Sequence, residues 1–152
     1  MRHSSEHCVY HRRMTEPATS SAIQVVDHGR DWPRTFLRLR DWIWPSVSDV
    51  AIAIEHVGST AVPGMAAKPV IDMDVVIASR TNLPSIVSRL GSLGYQHRGD
   101  LGIADREAFL APRNQPAHHL YLCVENSLAL KNHLAVRDYL RTTCRTRWLI
   151  PL

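Results

Sequence analysis

Asp72 and Asp74 are the residues whose type and spacing point most directly to chemistry. They sit two apart in Val70-Ile71-Asp72-Met73-Asp74-Val75-Val76-Ile77-Ala78, which reads as a β-strand over residues 70–78. Residues two apart on a strand share a face, with α-carbons about 6.5 Å apart. The two carboxylates therefore look the same way, while Ile71, Met73 and Val75 pack on the opposite side. Neighbouring carboxylates on an apolar sheet are costly unless something cationic compensates them. A divalent ion is the usual remedy, and two such ions about 3.5–4 Å apart clamp phosphoryl groups. Carboxylate oxygens are hard donors, which favours Mg²⁺ or Mn²⁺ over zinc. Asp72 and Asp74 are thus the expected catalytic and metal-holding pair.

The segment before that strand supplies what such a pair needs opposite it. Gly58 lets the backbone approach a ligand, Ser59 and Thr60 offer hydroxyls, and N–H groups in such a turn cradle phosphate. Lys68 adds a point charge for phosphate oxygens. Arg106 is either a further phosphate contact or half of a surface ion pair with a neighbour such as Asp105. A Gly-Ser pair alone is a weak signal, and so is a lone Asp-x-Asp. Joined by a short loop between strands, they are more specific. The competing reading is a structural turn followed by an acid pair solvated at the sheet's end.

Positioning these groups requires a strand on each side of the turn. Residues 51–57, rich in Ile and Val, read as the strand before it. Residues 23–26 suggest a short edge strand. A helix begins near Asp31, a candidate N-cap, with Pro33 in its first turn. Trp32, Phe36, Leu39 and Ile43 form its apolar stripe, and Pro45 limits its extent. A second helix, capped by Asn82, carries Ile86, Val87, Leu90 and Leu93 inward and stops at Gly94. Short antiparallel strands follow at 95–98, 108–111 and 119–124, and a last helix from about Ser127 to Arg141 with Asn126 as its cap. This order implies an α/β or α+β domain with a mixed sheet flanked by helices.

Composition narrows the class. The chain has 152 residues, 45% hydrophobic and 21% charged, the profile of one ordinary domain. No apolar run is long enough for a membrane span, and residues 1–20 lack the apolar centre of a secretory signal. They read as a disordered leader, with Met14 as an alternative start. Glu6 and Glu16 argue against a mitochondrial presequence. Cys8, Cys123 and Cys144 are odd in number and scattered, which excludes a disulfide framework and assigns a reducing, cytoplasmic setting. The net charge of +4 is concentrated at the ends, at +2 over residues 1–13 and +4 over 131–147, leaving the body near −2. A basic stripe for nucleic acid is therefore not indicated where the core lies.

The run Glu55-His56-Val57-Gly58-Ser59-Thr60-Ala61-Val62-Pro63-Gly64-Met65-Ala66-Ala67-Lys68-Pro69-Val70-Ile71-Asp72 resembles the hallmark of the GrpB-like family. The likeness extends to Trp32-Pro33, Arg106, Phe109, His118-His119-Leu120-Tyr121 and His133-Leu134-Ala135-Val136-Arg137-Asp138-Tyr139-Leu140. It covers about residues 25–141. The resemblance implies a nucleotidyltransferase-like fold, Mg²⁺ at the acids, and a nucleoside triphosphate or related small molecule at the turn. Some members are fused to dephospho-CoA kinase, which implies a nucleotide or CoA setting.

The chain also departs from the active pattern of that superfamily, which adds a third acid from a later strand. Here residues 119–124 present His119, Tyr121 and Cys123 on one face, with Glu125 only at the end. Either a histidine substitutes, or Glu125 reaches in, or the metal site is incomplete. His118, His119 and Tyr121 are expected to line the pocket, or in the case of the histidines to bond the loop backbone. His118, His119, Cys123 and His133 lack paired ligand spacing, so a zinc site is not expected. Glu55 reads as structural, and Arg137 with Asp138 as a tether between the last helix and the turn. Residues 142–152, with their β-branched side chains and Ile-Pro-Leu end, read as an atypical tail that does not continue the helix.

Overall fold

The computed structural model describes residues 22–147, with side chains through Thr143. The expected leader and the last five residues of the expected tail lie outside that range. Five strands form one mixed sheet in the order β1 (Ala51–Val57), β2 (Ile71–Ile77), β5 (His118–Val124), β4 (Arg106–Leu110), β3 (Gln96–Gly99). β2 and β5 run parallel, and every other neighbouring pair is antiparallel. Helices α1 (Trp32–Val47) and α2 (Leu83–Ser92) pack on one face, and α3 (Leu128–Arg147) lies over the other.

Alternation along β2 decides which residue goes where. Ile71, Met73, Val75 and Ile77 point into the main core with Leu120 and Leu122 of β5. Leu39 and Ile43 of α1 and Ile86 and Leu90 of α2 close over them, all at most 1% exposed. Each such side chain contributes about 1.5–3 kcal/mol by leaving water. The opposite parity, Asp72, Asp74 and Val76, faces α3. There Val76, Cys123 and Leu130 make a second, smaller cluster with Tyr121 and Leu134.

Several local expectations are corrected. Residues 23–26 form no strand; a single antiparallel bridge joins Val26 to Ala67. Helix α1 ends at Val47, two residues after Pro45, so the limit expected of that proline holds. Asp31 precedes α1 without capping it and instead faces Arg34 at 3.7 Å. Asn82 makes no cap bond either; the Ser79 hydroxyl accepts from the Thr81 N–H at the start of a 3₁₀ turn. At α3 the cap is Ser127, whose Oγ accepts from the Leu130 N–H, while Asn126 takes a left-handed conformation at φ 63°. Helix α3 continues to Arg147 rather than ending near Arg141. The Thr142 and Thr143 hydroxyls both donate to the Tyr139 carbonyl, and β-branched residues are only weakly unfavourable in a helix. Among the described residues, no helix is long and apolar enough to cross a membrane.

Candidate functional site

Strand pairing builds the α3-facing side of the sheet as a grid. Val57, Asp72 and His119 stand side by side on β1, β2 and β5. The next row is Glu55, Asp74, Tyr121 and, on β4, Ala108. The third holds Ala53, Val76, Cys123 and Arg106. Asp72 and Asp74 therefore share a face, as their spacing required. Gly58 follows directly on β1, so the bend begins beside Asp72.

The two carboxylates have different surroundings. The Asp72 side chain is 30% exposed and takes a hydrogen bond from His119 Nδ1 at 2.7 Å. Asp74 is fully buried; its Oδ2 meets His133 Nδ1 at 2.7 Å, and its Oδ1 has no partner. Each bond raises the pKa of its histidine, through Asp72 for His119 and through Asp74 for His133. Each carboxylate thus has an imidazole N–H donor of its own, and protonation of either ring is favoured by the acid beside it. The side nearest β4 is guarded by Arg106, whose guanidinium lies 4.6 Å from the centre of the Tyr121 ring. Arg106 Nε is buried without a partner, so one donor on that arginine remains unused. Asp105, the alternative partner for Arg106, pairs with Arg80 instead.

Between these groups and α3 lies a pocket of about 320 Å³, within the range of small-ligand sites. Asp72, Arg106, Tyr121 and His133 give it polar groups, Gly58 bare backbone, and Val57 and Val136 apolar walls. The bend itself is held from behind. Arg137 of α3 donates to Glu55 Oε2 at 2.7 Å and to the His56 carbonyl at 3.1 Å, and Arg141 donates to the Ala61 carbonyl at 2.8 Å. Asp138 completes the tether by pairing with Arg137 Nε at 2.9 Å. Glu55 is structural, as expected.

The other sequence-derived candidates divide. Ser59 is exposed at the bend, and Lys68 is exposed and close enough to His119 to lower its proton affinity. Thr60 is 2% exposed, and its hydroxyl is bonded to His56 Nε2 at 3.0 Å, so it braces the turn and offers nothing to a ligand. His118 is a correction as well. It points to the α1/α2 side, because residues adjacent on a strand face opposite ways. There it is 5% exposed and bonded to the Tyr95 hydroxyl and the Pro116 carbonyl, both at 2.6 Å. Burial lowers its pKa. Glu125 does not reach in: its N–H bonds the Ile77 carbonyl at the far end of β2. His119 occupies the row beside Asp72 instead.

His133 was misjudged from the sequence as well. It enters the site from α3, 59 residues from its partner Asp74. Its signals were its place at the head of the family-like run 133–140 and its helical position one turn before Arg137. It also joins Asp74 and Cys123 in a group whose potential ligand atoms all lie within 4.8 Å of one another, which the absence of paired spacing had argued against.

Residues 22–148 match the sequence pattern of a family described as GrpB protein. YqkA of Bacillus subtilis is 32% identical over 119 residues, 78% of this chain and 35% of its own length. The chain therefore spans about a third of that relative. A dephospho-CoA kinase of Mycolicibacterium paratuberculosis is 30% identical over 88 residues, 56% of this chain and 22% of the kinase. Among solved structures, the conserved protein GrpB from Enterococcus faecalis superposes with a TM-score of 0.71 at 27% identity, covering 78% of this chain and 73% of that one. The Cid1 poly(U) polymerase with MgGTP bound superposes with a TM-score of 0.52 at 15% identity, covering 76% of this chain and 38% of the polymerase. At that identity the likeness shows the fold alone, and the fold is nucleotidyltransferase-like.

Proposed function

Since this chain belongs to the GrpB family, we propose that it is a nucleotide-binding member that moves a nucleotidyl group from a nucleoside triphosphate to an acceptor hydroxyl. The observation that carries this reading is that Asp72 and the Gly58 bend line one pocket side by side, with Asp74 behind Asp72 on the same sheet face. The unpartnered Asp74 Oδ1 and the partly exposed Asp72 carboxylate form an all-oxygen donor pair that suits Mg²⁺ or Mn²⁺. A divalent ion there would neutralise phosphate charge as it builds up in the reaction.

The chain's own residues account for the remainder. Gly58 and Ser59 would bring backbone N–H groups and a hydroxyl to the triphosphate. Arg106, with its spare Nε donor, and Lys68 would hold phosphate oxygens as charge accumulates on them. The acceptor oxygen would bond to the α-phosphorus as the bond to pyrophosphate breaks, and the hydroxyl proton would pass to His119 or to solvent. Asp72 keeps the His119 ring oriented for that proton. A triphosphate substrate and the free, buried Cys123 thiol both suit the cytoplasm.

One observation favours a second reading, a nucleotide- or CoA-binding module without turnover. Beside the acid pair, β5 offers His119, Tyr121 and Cys123 and no carboxylate. Pyrophosphate release from a nucleoside triphosphate in Mg²⁺, abolished by Asp72→Asn, supports transfer. Saturable nucleotide binding without release supports the module. Neither binding nor release by the folded protein overturns both.

A further inference from the structure

Asp74 and Cys123 come from adjacent strands, and His133 comes from the helix that covers them. A carboxylate oxygen, the Sγ and a ring nitrogen from these three lie within 4.8 Å of one another. Asp74 and Cys123 are each 0% exposed. Asp74 Oδ1 has no hydrogen-bond partner, so a buried carboxylate is left half satisfied. Such a group costs several kcal/mol in general unless a cation reaches it.

We propose that Asp74, Cys123 and His133 form a binding site for a thiophilic divalent cation of the Zn²⁺ class. The donor set decides the class. A sulfur, an imidazole nitrogen and one carboxylate oxygen match Zn²⁺, whereas Mg²⁺ requires oxygen ligands. In a tetrahedral Zn²⁺ site, neighbouring ligand atoms stand about 3.3–3.8 Å apart, so the three need only small side-chain shifts. Three protein ligands leave a fourth position, and His133 borders the pocket from which water or another ligand can fill it.

Protons balance the binding step. The Cys123 thiol, pushed up to about 12 by burial and by the nearby Asp74 carboxylate, keeps its proton until a cation arrives. On binding, that proton leaves to solvent and the sulfur lone pair bonds the metal, while the His133 hydrogen bond to Asp74 opens and its Nδ1 proton is exchanged through solvent onto Nε2, which frees the Nδ1 lone pair for the cation. Arg106 is the competing positive charge, since its field acts on both Cys123 and His133. Asp74 belongs to both donor sets, so a Zn²⁺-class ion here would compete with Mg²⁺ held beside Asp72, while the donors Cys123 and His133 are independent of any nucleotide turnover.

The test is Co²⁺ titration of the full chain carrying Cys8→Ser and Cys144→Ser, so that Cys123 is the sole thiol. Expected is one Co²⁺ per chain with a thiolate-to-cobalt charge-transfer band, displaced by Zn²⁺. Cys123→Ser should abolish the band. His133→Gln, which keeps an N–H donor for Asp74, should weaken Co²⁺ binding about tenfold or more. Absence of the band, its survival in Cys123→Ser, or unchanged affinity in His133→Gln overturns the site. Far-UV circular dichroism checks each fold, and if Cys123→Ser does not fold, His133→Gln decides alone. A cobalt band in a protein that neither binds nor cleaves nucleotide would overturn the transferase reading and leave this site standing.

Discussion

A β-carbon built on Gly58 would lie 2.4 Å from Asp72 Oδ2, so this glycine and this carboxylate exclude any side chain between them. Gly58 also has φ 72° and ψ −173°, a region essentially confined to glycine. Both constraints act on the residue that begins the bend. Gly58→Ala is therefore expected to cost about 1–3 kcal/mol in backbone strain alone and to push Asp72 off its bond to His119. Chemical denaturation should register the loss of stability. An NMR titration should show the His119 pKa falling back toward that of an unpaired histidine. An alanine variant with unchanged stability and an unchanged His119 titration would contradict this.

Arg137 should matter through its shape as much as its charge. Its side chain is 12% exposed and serves Glu55, Asp138 and the His56 carbonyl together. Charge-assisted bonds of this kind contribute about 1.5–3 kcal/mol. Arg137→Ala should lower stability by about that much and loosen the Gly58 bend. Arg137→Lys should recover less than half, because an ammonium cannot fork to three acceptors in one plane. Thermal unfolding of both variants, with Glu55→Gln as the partner in a double-mutant cycle, checks the coupling.

How much of this was legible from the sequence follows from the range of the forces involved. The acid pair, its shared face and the strand before the turn were readable because strand alternation is a local rule, and Ile71, Met73 and Val75 obey it. The family resemblance and the nucleotidyltransferase-like fold were readable because the Glu55–Asp72 run is long. His118 was misplaced because the pocket was assigned to a pair of adjacent histidines, although adjacent strand residues must diverge. Thr60 was misread because its partner, His56, is bonded across the turn, and the sequence does not reveal which hydroxyls are already used. His133 and Cys123 reach Asp74 only through the docking of α3, a tertiary event without a sequence spacing. The run past Arg141 was missed because helix propensity is a weak preference, which β-branched residues such as Thr142 and Thr143 lower without forbidding the helix.

Acid should destabilise the protein through His56. Burial drives its pKa down to about 4, with the Arg141 charge assisting, while it stacks on Phe36 with ring centres 4.6 Å apart. The unfolded chain binds this proton near 6.5 and the folded chain only near 4. The stability is therefore fully present above about pH 6.5 and is lost as pH falls toward 4. The linked loss is on the order of 3 kcal/mol. Urea unfolding at stepped pH should show this slope, and His56→Gln should flatten it. His119 and His133 work in the opposite sense: their raised pKa values give stability that is present below 6.5 and fades as pH rises through the folded values.

Removing His133 should reveal how Asp74 differs from Asp72. Asp74 is 0% exposed, and its one hydrogen bond is the one from His133, so His133→Ala would strand a buried carboxylate with neither oxygen bonded. Breaking a buried pair in this way costs about 3–5 kcal/mol. His119→Ala removes the matching bond from Asp72, but that carboxylate is 30% exposed and His119 itself 52%, so water replaces the lost donor. The expected cost there is within about 1 kcal/mol. Denaturation midpoints of the two variants at pH 7 test the contrast. Equal losses at pH 7 would mean that the two carboxylates, despite sharing a strand face, experience the same surroundings, and the division into an open Asp72 and a sealed Asp74 would have to be abandoned.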